Sequence, residues 1–284
     1  MSCFQSKFNI NQLGFFLIIA ALATSISCKK EDDHDLLNKA VLEGYIFANE
    51  PVDDIHLTKL LPFGGEDTIP QPINDADIKI IWKGVSYHLI PSGGDSGYYH
   101  YPGSDLQILE GENYRIEFEY FYRLTSGETV VPPPPTGVCL NTDTMEFEKI
   151  SLFNIHMYFS NDSVTVSWDN DNEEYYYVVI NNLEQDPVPL YPDSLNSVMQ
   201  GLVSTFLFTR PTQEDYYEIL EYYITHFGKH QVKVYKINQE YVDLYTSLDQ
   251  DSRTLNEPIT NLDNGLGVFA AFNCDTANFY VVEK

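Results

Sequence analysis

The chain alternates apolar and polar residues over many short stretches. Asp77-Ile78-Lys79-Ile80-Ile81-Trp82-Lys83 places Ile78, Ile80 and Trp82 on one face, as a period of two requires of a half-buried strand. Asn113 to Arg123 alternates most clearly, with Tyr114, Ile116, Phe118, Tyr120 and Tyr122 on one side and Asn113, Arg115, Glu117, Glu119 and Arg123 on the other. Val41–Ala48, Ile55–Leu61, Tyr87–Ile90 and Gly97–Tyr101 read as further strands, broken by Asn, Gly and Pro. Beyond a run of four prolines, Pro132–Pro135, the pattern restarts near Ile150. Ser163–Trp168 alternates with Val164, Val166 and Trp168 inward; Tyr175–Ile180, Tyr216–Ile224, His230–Ile237, Gly267–Phe272 and Phe279–Val282 complete the strands. One helix interrupts them near 239–249. Tyr241, Leu244, Tyr245 and Leu248 fall at helical spacing, with Asn238 as N-cap and Glu240 in the first turn.

Short strands at near-regular spacing predict a mainly β protein of two antiparallel β-sandwich domains. The first, residues 40–131, is expected to be immunoglobulin- or transthyretin-like. The second, residues 150–284, is expected to resemble a fibronectin type III sandwich, from its strand ending in Trp168, polar turn and Tyr-rich strand. Residues 132–149 form the proline-rich junction, which favours stiff polyproline II backbone.

The amino terminus reads differently. An apolar run from Leu13 to Ala23 follows a weakly basic start at Lys7 and precedes Thr24-Ser25-Ile26-Ser27-Cys28. The run is about half the roughly 20 residues that span a bilayer, and its flanks suit a secretory signal. A cysteine at the cleavage point makes residues 1–27 resemble a bacterial lipoprotein signal peptide, with Cys28 as the lipidated first residue of the mature chain. Acyl chains add roughly 0.8 kcal/mol per buried CH₂, so two or three hold a protein essentially permanently. Residues 28–39 then form a polar tether. Its start, Lys29-Lys30-Glu31-Asp32-Asp33, resembles the acidic surface-export signal of Bacteroidota lipoproteins. The expected location is the outer membrane, lipid-anchored, on the cell surface.

Charge narrows the partners. Loss of Lys7 with the signal leaves 15 basic against 42 acidic residues, a net charge of −27. Such a chain repels phosphate backbones, so no nucleic acid is expected as a partner. It also stands off anionic lipid, with only its anchor inserted.

Of four cysteines, Cys3 leaves with the signal and Cys28 carries lipid, so Cys139 and Cys274 remain as a candidate disulfide. Five triplets read Asp, then Ser or Thr, then a small or apolar residue, where composition alone gives about one. They mark Thr68, Thr144, Ser163, Ser194 and Thr276 as candidate O-glycosylation sites, by resemblance to the exported Bacteroidota sequon.

Catalytic and metal chemistry finds little purchase. Asp169-Asn170-Asp171-Asn172-Glu173 has alternating oxygens, but Glu174 stands where a calcium loop needs glycine. His226-x-x-x-His230 has helical metal spacing, but Gly228 lies between and no third ligand is evident. No nucleophile elbow, Cys/His pair or phosphate loop occurs. The chain reads as a non-enzyme with no cofactor, no catalytic residue and no metal ligand. Tyrosine is abundant at 21 residues, and Tyr98, Tyr99 and Tyr101 lie in a turn-rich region where rings could stack on sugars or peptides.

The whole mature chain resembles the Bacteroidota lipoprotein family called domain of unknown function 4249. The matching pieces are Val41–Ile46, Asp75–Ile78, Gly97-Tyr98-Tyr99, Gly111–Tyr114, Gln239-Glu240-Tyr241, Glu257-Pro258 and Gly265–Phe269. Such lipoproteins usually accompany TonB-dependent outer-membrane transporters. The resemblance therefore implies a non-catalytic accessory role in nutrient uptake. The alternative is a free-standing surface module that binds a glycan or peptide through loops 93–101 and 184–215.

Overall fold

The computed structural model describes residues 39–61, 69–152, 155–190, 206–248 and 260–284, all within one compact unit, Leu37–Lys284. β1 (Ala40–Phe47) and β2 (Asp54–Lys59) form a hairpin, as do β3 (Ile78–Trp82) and β4 (Val85–His88). Two short strands, β5 (Ile90–Pro91) and β6 (Tyr98–His100), precede a long hairpin of β7 (Asn113–Tyr120) and β8 (Arg123–Val130). After the prolines come β9 (Cys139–Leu140), β10 (Thr144–Leu152), β11 (Ile155–Phe159), β12 (Ser163–Ser167) and β13 (Tyr176–Asn182). The chain ends with β14 (Phe206–Phe208), β15 (Tyr216–Leu220), β16 (Gly228–Ile237), helix α1 (Gln239–Leu248), β17 (Leu262–Asp263) and β18 (Leu266–Glu283).

These strands make three sheets. A ten-stranded sheet runs β14-β13-β16-β18-β1-β2-β6-β5, with β10 and β11 joined at the far end of β18. A five-stranded sheet, β17-β8-β7-β3-β4, encloses the first core with the β1–β2–β6 region. A three-stranded sheet, β15-β12-β9, encloses the second core with β13, β16 and the end of β18. The chain is thus mainly β, with mostly antiparallel strand pairs, two sandwich cores and one described α-helix, as the alternation predicts.

The two cores share a strand. Over its 18 residues, roughly 60 Å of extended chain, β18 runs parallel to β1 through Leu266–Phe272, antiparallel to β16 through Phe272–Val281, and parallel to β10 through Tyr280–Glu283. Phe269 and Ala271 fill the first core, whereas Phe279 and Val281 fill the second. Val268, Ala270 and Phe272 point to the opposite face, where Val242, Tyr241 and Leu244 of α1 cover them. Burial on both faces explains why Gly267–Phe272 is continuously apolar. Gly267 sits at φ +97, where a Cβ would overlap the Leu42 carbonyl of β1, so only glycine permits this close approach.

The expected domain limits differ from this arrangement. Leu262, Phe269 and Ala271 complete the first core although they lie far beyond residue 150, and Met145 and Phe147 already belong to the second core. The polar stretch Asn273–Asn278 hides the continuity of β18, because its side chains alternate without an apolar face while its backbone stays paired to β16. The expected strand Asn113–Arg123 is instead a strand, a turn and the first residue of β8.

Helix α1 starts where the sequence predicts, at Gln239. The Asn238 carbonyl accepts from the Tyr241 N–H at 3.2 Å. Its side-chain amide donates to Thr129 Oγ1 and to the Val130 carbonyl, which ties the helix start to β8.

Candidate functional site at the aromatic hairpin tip

The β7–β8 register pairs Tyr120 with Arg123, leaving a two-residue loop, Phe121-Tyr122. Both residues are left-handed, at φ 48° and 59°. Two-residue hairpin loops favour this primed geometry because its twist matches the strands, and Asn-Gly usually supplies it. Bulky rings in that region cost of order 1–3 kcal/mol each. The rings do not recover the cost by burial: Phe121 is 56% exposed, Tyr122 96% and the neighbouring Leu124 51%. Strain combined with exposed apolar surface is a signature of function rather than of stability.

Below the tip lies a cleft of about 410 Å³. Ile73 and the part-buried Tyr120 form its inner wall, and Phe121 and Tyr122 overhang it. The Tyr120 ring meets Phe121 edge-on at 4.6 Å and packs on the first core. Two exposed carboxylates, Asp75 and Glu119, lie at the rim. Burial, and then the Asp75 charge, push the Tyr120 hydroxyl pKa up.

The wall opposite the hairpin is fixed by Tyr99. Its buried hydroxyl donates to the Ile73 carbonyl at 2.9 Å and accepts the Ala76 N–H at 3.1 Å. Asn74 adds a second tie by accepting the Gly97 N–H through Oδ1 at 2.8 Å. Tyr99 is therefore a core clamp, which corrects its expected role as an exposed stacking ring. Its neighbour Tyr98 stacks on His56 at 4.3 Å, and the Tyr101 hydroxyl donates to Asp105 at 2.7 Å.

The other sequence-predicted positions are not brought together. Cys28, Thr68 and Ser194 lie outside the described residues. Cys139 and Cys274 are both free thiols, which corrects the expected disulfide. Cys139 stands on β9 in the three-stranded sheet, with its Sγ 3.2 Å from Ser167 Oγ. Cys274 stands on β18 of the ten-stranded sheet, opposite Tyr235. Thr144 opens β10 and donates its hydroxyl to Asp143, and Ser163 opens β12 and donates to Glu218 at 2.7 Å. Thr276 is exposed but lies within β18, not in a turn.

The acidic turn closes on itself. Asn170 Oδ1 accepts the Glu174 N–H, while its amide donates to the Glu174 and Gln213 carbonyls. His230 is on a strand, ring-stacked on Phe279 at 5.1 Å. Among the described residues no group of His, Cys, Asp and Glu is placed to hold a metal ion.

The hairpin tip escaped sequence reading because alternation continues through the turn. The available signal was length: an aromatic strand followed by a second alternating run exceeds the usual 3–10 residues, so a turn must intervene.

A search of curated proteins finds no match. A solved structure of titin domains A168–A170 is similar at 13% identity and a TM-score of 0.20, covering 71% of this chain and 61% of that one. The chain thus spans less than two thirds of that structure's length, and the sandwich assignment rests on the strand pairing described above. A family model covers residues 29–278, and the chain belongs to that family, the domain of unknown function DUF4249.

Proposed function

We propose that the protein is a lipid-anchored lipoprotein of the outer membrane, exposed on the cell surface, that acts as a non-catalytic accessory partner of a TonB-dependent transporter in nutrient uptake. The observation that carries this reading is the projecting tip. A partner protein would bury Phe121, Tyr122 and Leu124 and so use surface that the isolated chain leaves in water. The anchor is supported by the apolar run Leu13–Ala23, the small residues before Cys28 and the acidic tether after it. Lipidation is assigned to Cys28, and O-glycans to the Asp-Ser and Asp-Thr positions Thr68, Thr144, Ser163, Ser194 and Thr276.

The cleft beneath the tip favours a second reading, a free-standing module that takes a glycan or a peptide without a transporter. Affinity capture separates the two. The full chain, tagged at its carboxy terminus, is extracted gently from native membranes. A transporter of the TonB-dependent class at near-equal abundance, together with loss of membrane retention in Cys28→Ser, is the expected result. Capture without a companion favours the free-standing module, and unchanged membrane retention of Cys28→Ser overturns the anchor.

A further inference from the structure

We propose that the cleft under the Phe121–Tyr122 tip receives a cationic side chain, guanidinium or ammonium, from a partner protein. This rests on the reading of the tip as a docking element. The cleft joins two features that select a cation. Tyr120, Phe121 and Tyr122 offer aromatic faces and edges around one opening, and an aromatic face attracts a cation within about 6 Å of its centroid. Asp75 and Glu119 add two carboxylates on the rim, and among the described residues no lysine or arginine lines the opening. Arg123 follows the turn but already has an interaction of its own.

The cavity also has a fitting shape. About 410 Å³ is ample for one long side chain and small for a folded element. Its inner wall is apolar at Ile73, which suits the methylene stem of arginine or lysine. Its mouth is acidic, which suits the head group. The charge of the whole chain, −26, draws a basic partner toward this opening. Burial of a neutral apolar side chain would leave both rim carboxylates facing it without compensation.

A diffuse attraction to an acidic surface must be separated from a site. The probe is a labelled pentapeptide, acetyl-Gly-Arg-Gly-Arg-Gly-amide, compared with the same peptide carrying citrulline, a neutral isostere of arginine. Binding to the detergent-solubilised full chain is measured at about 0.15 M salt, where exposed charges more than about 8 Å apart are screened. The arginine peptide is expected to bind about tenfold more tightly than the citrulline peptide. Phe121→Asn combined with Tyr122→Gly keeps the net charge and suits the turn, so it folds; it is expected to abolish that preference. Asp75→Asn combined with Glu119→Gln is expected to do the same. Equal binding of the two peptides, or an arginine preference that survives the loop replacement, overturns the proposal. Transporter capture without arginine preference refutes the cation site and leaves the docking role standing. Arginine preference without transporter capture does the reverse.

Discussion

The buried hydroxyl of Tyr99 donates to the carbonyl of Ile73 at 2.9 Å and so fixes one wall of the cleft whose other wall is the aromatic hairpin. A side chain from β6 thereby positions a loop that has no regular strand of its own.

Tyr99→Phe removes that tie while keeping the ring. It leaves the Ile73 carbonyl and Ala76 N–H without their partner, which costs about 1–3 kcal/mol for buried groups. Chemical denaturation checks the cost, and amide exchange at Ala76 is expected to rise with little change in β12 or β13.

Replacement of the tip by Asn-Gly is expected to raise stability. Both residues tolerate the left-handed backbone, so relief of the strain at Phe121 and Tyr122 should contribute about 1 kcal/mol or more. The same variant should lose its partner. A rise in Tm accompanied by loss of binding identifies residues kept for function at the expense of stability. A fall in Tm would mean that the rings hold the hairpin together.

His230 predicts an acid-sensitive core. Its Nδ1 faces the Gly228 carbonyl, which only accepts, so Nδ1 carries the proton and Nε2 accepts from the Asn182 amide at 3.3 Å. A second proton on Nε2 would meet that donor inside the second core. Burial accordingly pushes the imidazole from 6.5 down to about 4, opposed by the hydrogen bond to the Gly228 carbonyl, with a further lowering from His226 and a further opposing effect from Glu184. Between those values the unfolded chain binds more protons, so this contribution is full above about pH 6.5 and is lost on acidification toward pH 4. The loss is on the order of 3 kcal/mol. The slope of unfolding free energy against pH over that window should flatten in His230→Gln, provided the variant folds; an unchanged slope would refute the assignment.

The thiols should differ in reactivity. Cys139 is exposed, whereas Cys274 is half-buried and burial raises its thiol pKa. In the native, unreduced protein a thiol reagent should label Cys139 quickly and Cys274 slowly. Denaturation without reductant should then make both fully reactive, and a protected pair at that stage would restore the disulfide.

Much of the fold was legible. Alternation located β3 and β12, and helical spacing located α1, because each has one face in a core and one toward water. Two features were hidden for opposite reasons. The tip was hidden because Phe121 and Tyr122 look like strand residues and lack the Asn or Gly that marks a turn. The continuity of β18 was hidden because Asp275 and Asn278 look like turn residues yet sit opposite β16 partners. The role of Tyr99 was inverted for a related reason: Gly97–Tyr101 reads as a short strand in a turn-rich region, where exposure is expected, but β6 pairs with β2 in the large sheet and carries Tyr99 inward.

Site-specific photocrosslinking at position 122 tests the docking claim most directly. A photoreactive phenylalanine replaces Tyr122 in the native host, and the same group at Val188, 60% exposed and associated with the second sandwich, serves as control. The account predicts a crosslink to a TonB-dependent transporter from position 122 and none from position 188. No crosslink from 122, or equal transporter crosslinking from both positions, would contradict it.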